Sequence, residues 1–172
     1  MHPTTTRYFQ ECGSLFDMLG HFITISLISA AIILMTWLST YEILDKVWNI
    51  LPRITVKPRL HVMLIGVPIF AAHIVGIWLY GMAYFMVENY TSLGRIVGQS
   101  RIYGVNYESF LDCLYFSAAT YTSLGLGDLV PTHDMRMLVG AEVLNGLVMI
   151  GWTISFTYLT MEKFWILPHR KQ

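Results

Sequence analysis

The stretch that decides the fold is Thr120 to Pro131, TYTSLGLGDLVP. It sets Gly125 and Gly127 one residue apart, follows them at once with Asp128, and reaches Pro131 three residues later. Hydroxyl residues Thr120, Thr122 and Ser123 precede the glycines. Around it the chain is strongly apolar. Of 172 residues 55% are hydrophobic and 13% charged, with a mean hydropathy of +0.53. A soluble domain carries about 25% charged residues, so the deficit makes lipid the main solvent. Formal net charge is zero, which argues against nucleic acid as a partner.

Outward from this stretch the chain divides into spans. A bilayer core about 30 Å thick needs about 20 apolar residues as a helix. Leu19 to Leu38 and Leu60 to Val87 supply two such runs free of Asp, Glu, Lys and Arg, with Pro68 expected to kink the second. Met135 to Met161 supplies a third, apolar apart from Arg136, Glu142 and Asn145. Between the second and third, NYESFLDCLYFSAAT reads as a short helix with Asn106 as N-cap and Glu108 in its first turn. That helix is too short to cross, so it is expected to be buried or re-entrant.

Basic residues orient the spans. Lys46, Arg53, Lys57 and Arg59 lie in the linker, and Lys163, Arg170 and Lys171 in the tail. Both segments are expected to be cytoplasmic, which puts the N-terminus and the 88–106 loop outside. Within the linker Leu44, Val47, Trp48 and Leu51 follow a helical repeat, predicting an amphipathic helix at the inner interface that Pro52 ends. Trp37, Trp48, Trp78, Trp152 and Trp165 read as interfacial anchors.

Irregular backbone at membrane depth persists only where it is buried in protein or lines a watery cavity. A helix entering half way, followed by an extended glycine-rich return, therefore predicts a pore. Carbonyls that replace an ion's hydration shell must turn successively toward one axis. That requires alternating left- and right-handed dihedrals, which glycine reaches without steric penalty. A hydroxyl from Thr122 or Ser123 adds a further oxygen ring at the inner end.

These residues resemble the selectivity filter of potassium channels, whose pattern is T-x-T-T-V-G-Y-G-D followed by a proline. Thr120, Thr122, Gly125, Gly127, Asp128 and Pro131 match, while Ser123 stands for the second hydroxyl residue, Leu124 for the valine and Leu126 for the tyrosine. The G-L-G-D tetrad is similar to the second pore segment of two-pore-domain potassium channels. The resemblance covers Leu60 to Met161 and implies an outer helix at 60–87, a pore helix at 107–119, a filter at 122–128 and an inner helix at 135–161. It leaves 1–59 as an N-terminal transmembrane helix with a basic linker, and 162–172 as a short cytoplasmic tail. The implied fold class is an all-α membrane protein of three transmembrane helices, with the re-entrant pore helix and filter loop between the second and third.

The same resemblance implies passive potassium conduction by a homotetramer, three identical subunits completing each carbonyl ring. Potassium is then the permeant ligand, held by Ser123, Leu124, Gly125 and Leu126, with no cofactor and no small-molecule substrate. Thr122 anchors the filter to the pore helix, Asp128 sits at the outer mouth, and the pore helix aims its negative end near Ala119 at a central cavity. Leu126 cannot make the hydrogen bond of the family's tyrosine. Tyr115 and Phe116 lie where its aromatic partners would be, so packing is expected to support the filter. Two other readings stand beside this one. The leucine substitutions motivate a weakly selective monovalent cation channel. The extra first span motivates a non-conducting pore-fold subunit that assembles with or regulates a partner.

Glu142 and Asn145 share a helix face and are expected to support the filter, with Glu142 either bracing it or facing the cavity. Gly146 is read as a hinge or a close-packing glycine, and Ser155 and Phe156 as candidates to line or close the inner pore. His73 is read as an interhelical hydrogen-bond partner or a proton sensor, and His133 as an external pH sensor. Cys12 and Cys113 show no metal or disulfide spacing and read as structural. No metal, phosphate-loop or nucleophile motif appears, so an enzyme is not expected. The first span lacks the arginine repeat of a voltage sensor, and the eleven residues after Met161 leave no room for a ligand-binding domain. With no cleavable signal peptide expected, the reading is a multi-pass protein of a bacterial inner membrane, N-terminus outside.

Overall fold

The structure, a computed structural model, describes residues 3–53, 58–99 and 101–163. Lys57, Trp165, Arg170, Lys171 and most of the tail lie outside the described residues. The chain forms α1 (Pro3–Ile50), a 3₁₀ turn (Leu51–Arg53), α2 (Pro58–Tyr90), β1 (Ile96–Gly98), α3 (Tyr107–Tyr121), β2 (Leu129–Pro131) and α4 (Met135–Met161). Three helical segments are long and apolar enough to cross a membrane: Met18–Ile50, Met63–Tyr90 and Met135–Met161. The fold is thus an all-α membrane protein of three transmembrane helices, with a short helix between the second and third.

The first helix departs from expectation. Span and amphipathic linker are one continuous helix of 48 residues, about 72 Å long at 1.5 Å per residue. No Gly or Pro falls between Leu38 and Leu44 to break it. Its hydroxyls bond back to the preceding turn, Thr24 to Gly20 O, Ser26 to Phe22 O and Ser29 to Ile25 O, which satisfies them without water. The helix ends where Pro52 enters the 3₁₀ turn. In α2, Pro68 is accommodated inside a single helix.

The core lies where α2, α3 and α4 meet, around Tyr80, Tyr84, Cys113, Phe116, Tyr121, Leu138 and Met149, with Ile25 and Ile32 joining from α1. The outward faces carry large exposed apolar side chains, such as Leu27, Met63, Val67 and Leu144, as a lipid-solvated surface requires. The tryptophans pack between helices. Trp37 lies edge-on to Trp152 at 6.5 Å, Trp48 faces Phe156 at 6.1 Å and Trp78 meets Phe110 at 6.0 Å.

An antiparallel ribbon of two short strands was not expected. Val97 pairs with Val130, flanked by Ile96 with Pro131 and Gly98 with Leu129, so the loop after α2 is stitched to the segment that follows Asp128. Behind the ribbon Arg101 is buried. It donates to Ile96 O and pairs with Glu88 at 2.6 Å, with Cys113 Sγ at 3.2 Å and Asp112 at 3.7 Å. Burial pushes the Cys113 thiol up to about 12, with the guanidinium partly opposing it.

Candidate functional site

The short helix is placed by its N-cap. The Asn106 side-chain oxygen accepts from Ser109 N at 2.7 Å, and α3 then runs 15 residues to Tyr121, two residues beyond the expected end. Close approach fixes it against α2: a Cβ on Gly81 would meet Leu114 Cδ2 at 2.6 Å. Further along, the Ser117 hydroxyl lies 2.9 Å from Ile77 O.

The backbone then turns sharply. Ala119 O accepts from both Leu124 N at 2.8 Å and Gly125 N at 3.3 Å, and Ser123 N donates to Thr120 O at 2.9 Å. The negative end of α3 near Ala119 is thus capped by the loop's own amides. The Thr122 hydroxyl turns back as well, donating to Ala118 O at 2.8 Å. From here φ alternates in sign, with positive values at Ser123 (57°), Gly125 (54°) and Gly127 (81°), whereas Leu124 and Leu126 stay negative. Ser123 was not expected in this region. A left-handed conformation costs a non-glycine residue about 1–2 kcal/mol, and the three amide bonds to Ala119 O and Thr120 O offset it.

Residues 122–128 are exposed along their length. Leu124 is 63% and Leu126 59% exposed. On the α4 side an open cleft of about 300 Å³ separates Ser123 and Gly125 from Val139 and Val143.

Support for this loop differs from the expectation of packing alone. The Tyr115 hydroxyl donates to Asp128 at 2.9 Å, and this bond raises the Tyr115 pKa. A hydroxyl-to-carboxylate bond thus reaches the loop's end from the short helix, two residues past Leu126. Phe116 is edge-on to Tyr84 at 5.2 Å in the core and also lines the cleft beside Ser123, Gly125 and Gly127.

Behind the loop a buried face of α4 runs Glu142, Gly146, Met149, Thr153, a helical stripe. Glu142 lies 2.5 Å from the Tyr84 hydroxyl and 2.6 Å from that of Ser117. Gly146 abuts the end of α3, where an added Cβ would lie 2.2 Å from Tyr121 O; of its two readings, close packing is the one this geometry supplies. His73 bridges the Tyr121 hydroxyl at 3.2 Å and the Thr153 hydroxyl at 3.1 Å. Thr153 spends its one proton on Ile150 O, so Nε2 of His73 is the donor to Thr153 and Nδ1 accepts from Tyr121.

Asn145 was expected behind the filter, and its amide instead faces α1. It accepts from Trp37 Nε1 at 2.8 Å and donates to Thr36 at 2.9 Å. Phe156 was a candidate pore residue and is turned toward Trp48 of α1. Ser155 is exposed, its hydroxyl on Gly151 O. His133 is exposed with φ 50°, next to Asp134, which contacts His21 of α1 at 3.3 Å. Sequence reasoning missed Tyr84, Ser117 and Thr153. The signal for Thr153 was present, as a hydroxyl set on the buried face of α4 that Glu142 occupies.

A family model described as ion channel matches residues 62–163, more than half of the chain. The chain belongs to this ion-channel family. The match spans α2, α3, the loop and α4 and leaves α1 outside. The chain is also similar to Two-pore potassium channel 1 of Arabidopsis thaliana, at 38% identity over 58 residues, 33% of this chain and 16% of that protein. The chain therefore spans about a sixth of that relative's length. No solved structure matches it. The family match and the three long apolar helices together make this an integral membrane protein of the ion-channel family.

Proposed function

We propose that four copies of this chain form a passive potassium channel, with residues 122–128 as its selectivity filter. The observation that carries the reading is the alternation of φ at Ser123, Gly125 and Gly127. Such alternation turns successive carbonyls to one side, as dehydrated-ion coordination requires. Leu124, Gly125 and Leu126 then offer main-chain oxygens, and Ser123 its carbonyl and hydroxyl. Thr122, bonded to Ala118 O, anchors the strand, and Asp128, held by Tyr115, stands at the outer mouth.

Tetramerisation is supported by what a single chain leaves bare. The loop and its two leucines are exposed in a protein whose solvent is lipid, and irregular backbone there needs protein cover or a water-filled lumen. One loop per chain supplies a quarter of each carbonyl ring, and cyclic closure completes it. Basic residues of the linker and tail favour the cytoplasmic side for the end of α1 and the end of α4.

The test is flux. Purified protein in liposomes is expected to carry potassium down its gradient and to lose this on Gly125→Asp, with a native mass four times that of the chain. A stable monomer, or a tetramer without flux, would sink the proposal.

A further inference from the structure

We infer that Glu142 carries a proton and works as a neutral hydrogen-bond donor, a positioning residue that ties α4 to the short helix behind the loop. This deepens the pore reading and rests on it for its consequence, although not for its chemistry. The argument is a count of protons. Three close oxygen pairs converge here: Ser117 Oγ to Ile77 O at 2.9 Å, Ser117 Oγ to Glu142 Oε1 at 2.6 Å, and Tyr84 Oη to Glu142 Oε2 at 2.5 Å. Each needs one hydrogen between its oxygens. Ile77 O is a carbonyl and has none to give, so the Ser117 hydroxyl donates to it. The Tyr84 hydroxyl supplies the second pair. Ser117 has no second proton for Glu142, so the third hydrogen comes from Glu142 itself.

The protonated acid completes the set: Oε1–H donates to Ser117, and Oε2 accepts from Tyr84. An ionised carboxylate would leave two oxygens facing each other without a proton. It would also stand in the span with no side-chain exposure, and among the described residues no Lys, Arg or His nitrogen pairs with it. An isolated buried charge of this kind is strongly disfavoured. One proton therefore links three helices, with Tyr84 from α2, Ser117 from α3 and Glu142 from α4. Gly146 repeats the contact one turn further, where α4 touches Tyr121 O.

The experiment compares Glu142→Gln, Glu142→Ala and the unaltered full-length protein in lipid. Glutamine keeps a donor and an acceptor at the two oxygen positions and carries no charge. The expected result is an infrared carbonyl band of a protonated carboxylic acid at neutral pH, present in the unaltered protein and missing in E142Q. E142Q is expected to unfold at the unaltered protein's temperature, and E142A below it. Absence of the acid band, or E142Q falling as far as E142A, would overturn the inference. Neither readout needs ion flux, so failure of the pore proposal leaves them standing, and their failure with conduction intact removes only the proton.

Discussion

At the scale of single residues the loop is decided by where its few hydrogen bonds fall. Leu126 removes the hydroxyl that the family's tyrosine would offer, and Tyr115 supplies one from the opposite partner, aimed at Asp128. Tyr115→Phe should therefore leave the fold intact while hastening the decay of current during sustained opening, and Asp128→Ala, which removes the acceptor, should do the same. Currents recorded from bilayers check this, and unchanged kinetics in both would remove the bond from the account. Gly146 makes a sharper case. An added Cβ overlaps Tyr121 O, and overpacking of this sort costs about 1–3 kcal/mol. Gly151 has nothing within 4 Å of its Cβ position. Gly146→Ala should lower unfolding stability by that amount and Gly151→Ala should not, measured by denaturation in detergent. The glycines were legible because two of them must take positive φ. The left-handed Ser123 was not, since serine gives no sign of a conformation imposed by the capping of Ala119.

At the scale of elements the unexpected feature is α1, which is continuous through the linker and hydrogen-bonded to α4 through Asn145. Trp37 and Thr36 use both ends of that amide. Hydrogen bonds of this kind between membrane helices average about 0.6 kcal/mol and reach about 1.7. A double-mutant cycle of Trp37→Phe with Asn145→Leu should return a coupling in that range, and zero coupling would detach α1 from the pore module. The Arg101–Glu88 pair holds the ribbon to the end of α2. Removing one partner of a buried pair costs about 3–5 kcal/mol, so Arg101→Met should destabilise strongly and Arg101→Met with Glu88→Leu much less, again by denaturation. Helices were legible because runs of 20 or more apolar residues have few alternatives in lipid. The ribbon was not, because strands of three residues such as Ile-Val-Gly carry no alternation to read. Nor was the direction of Asn145, since two faces of α4 are buried and sequence spacing cannot tell which neighbour each one meets.

At the scale of the whole molecule the chain is a member of the ion-channel family whose most irregular segment is left open on one side. The exposed Leu124 and Leu126, the cleft before Val139 and the capped end of α3 are the features that further copies around an axis would cover. Leucine at both of these positions of the proposed filter also makes the choice of ion the most informative property to measure. The direct test is the reversal potential of the reconstituted protein with potassium on one side of the bilayer and sodium on the other. A value far from zero, in the direction that drives potassium alone, is the predicted result, with no current at all from Gly125→Asp. A reversal potential at zero would contradict the potassium filter and leave a cation pore that does not discriminate.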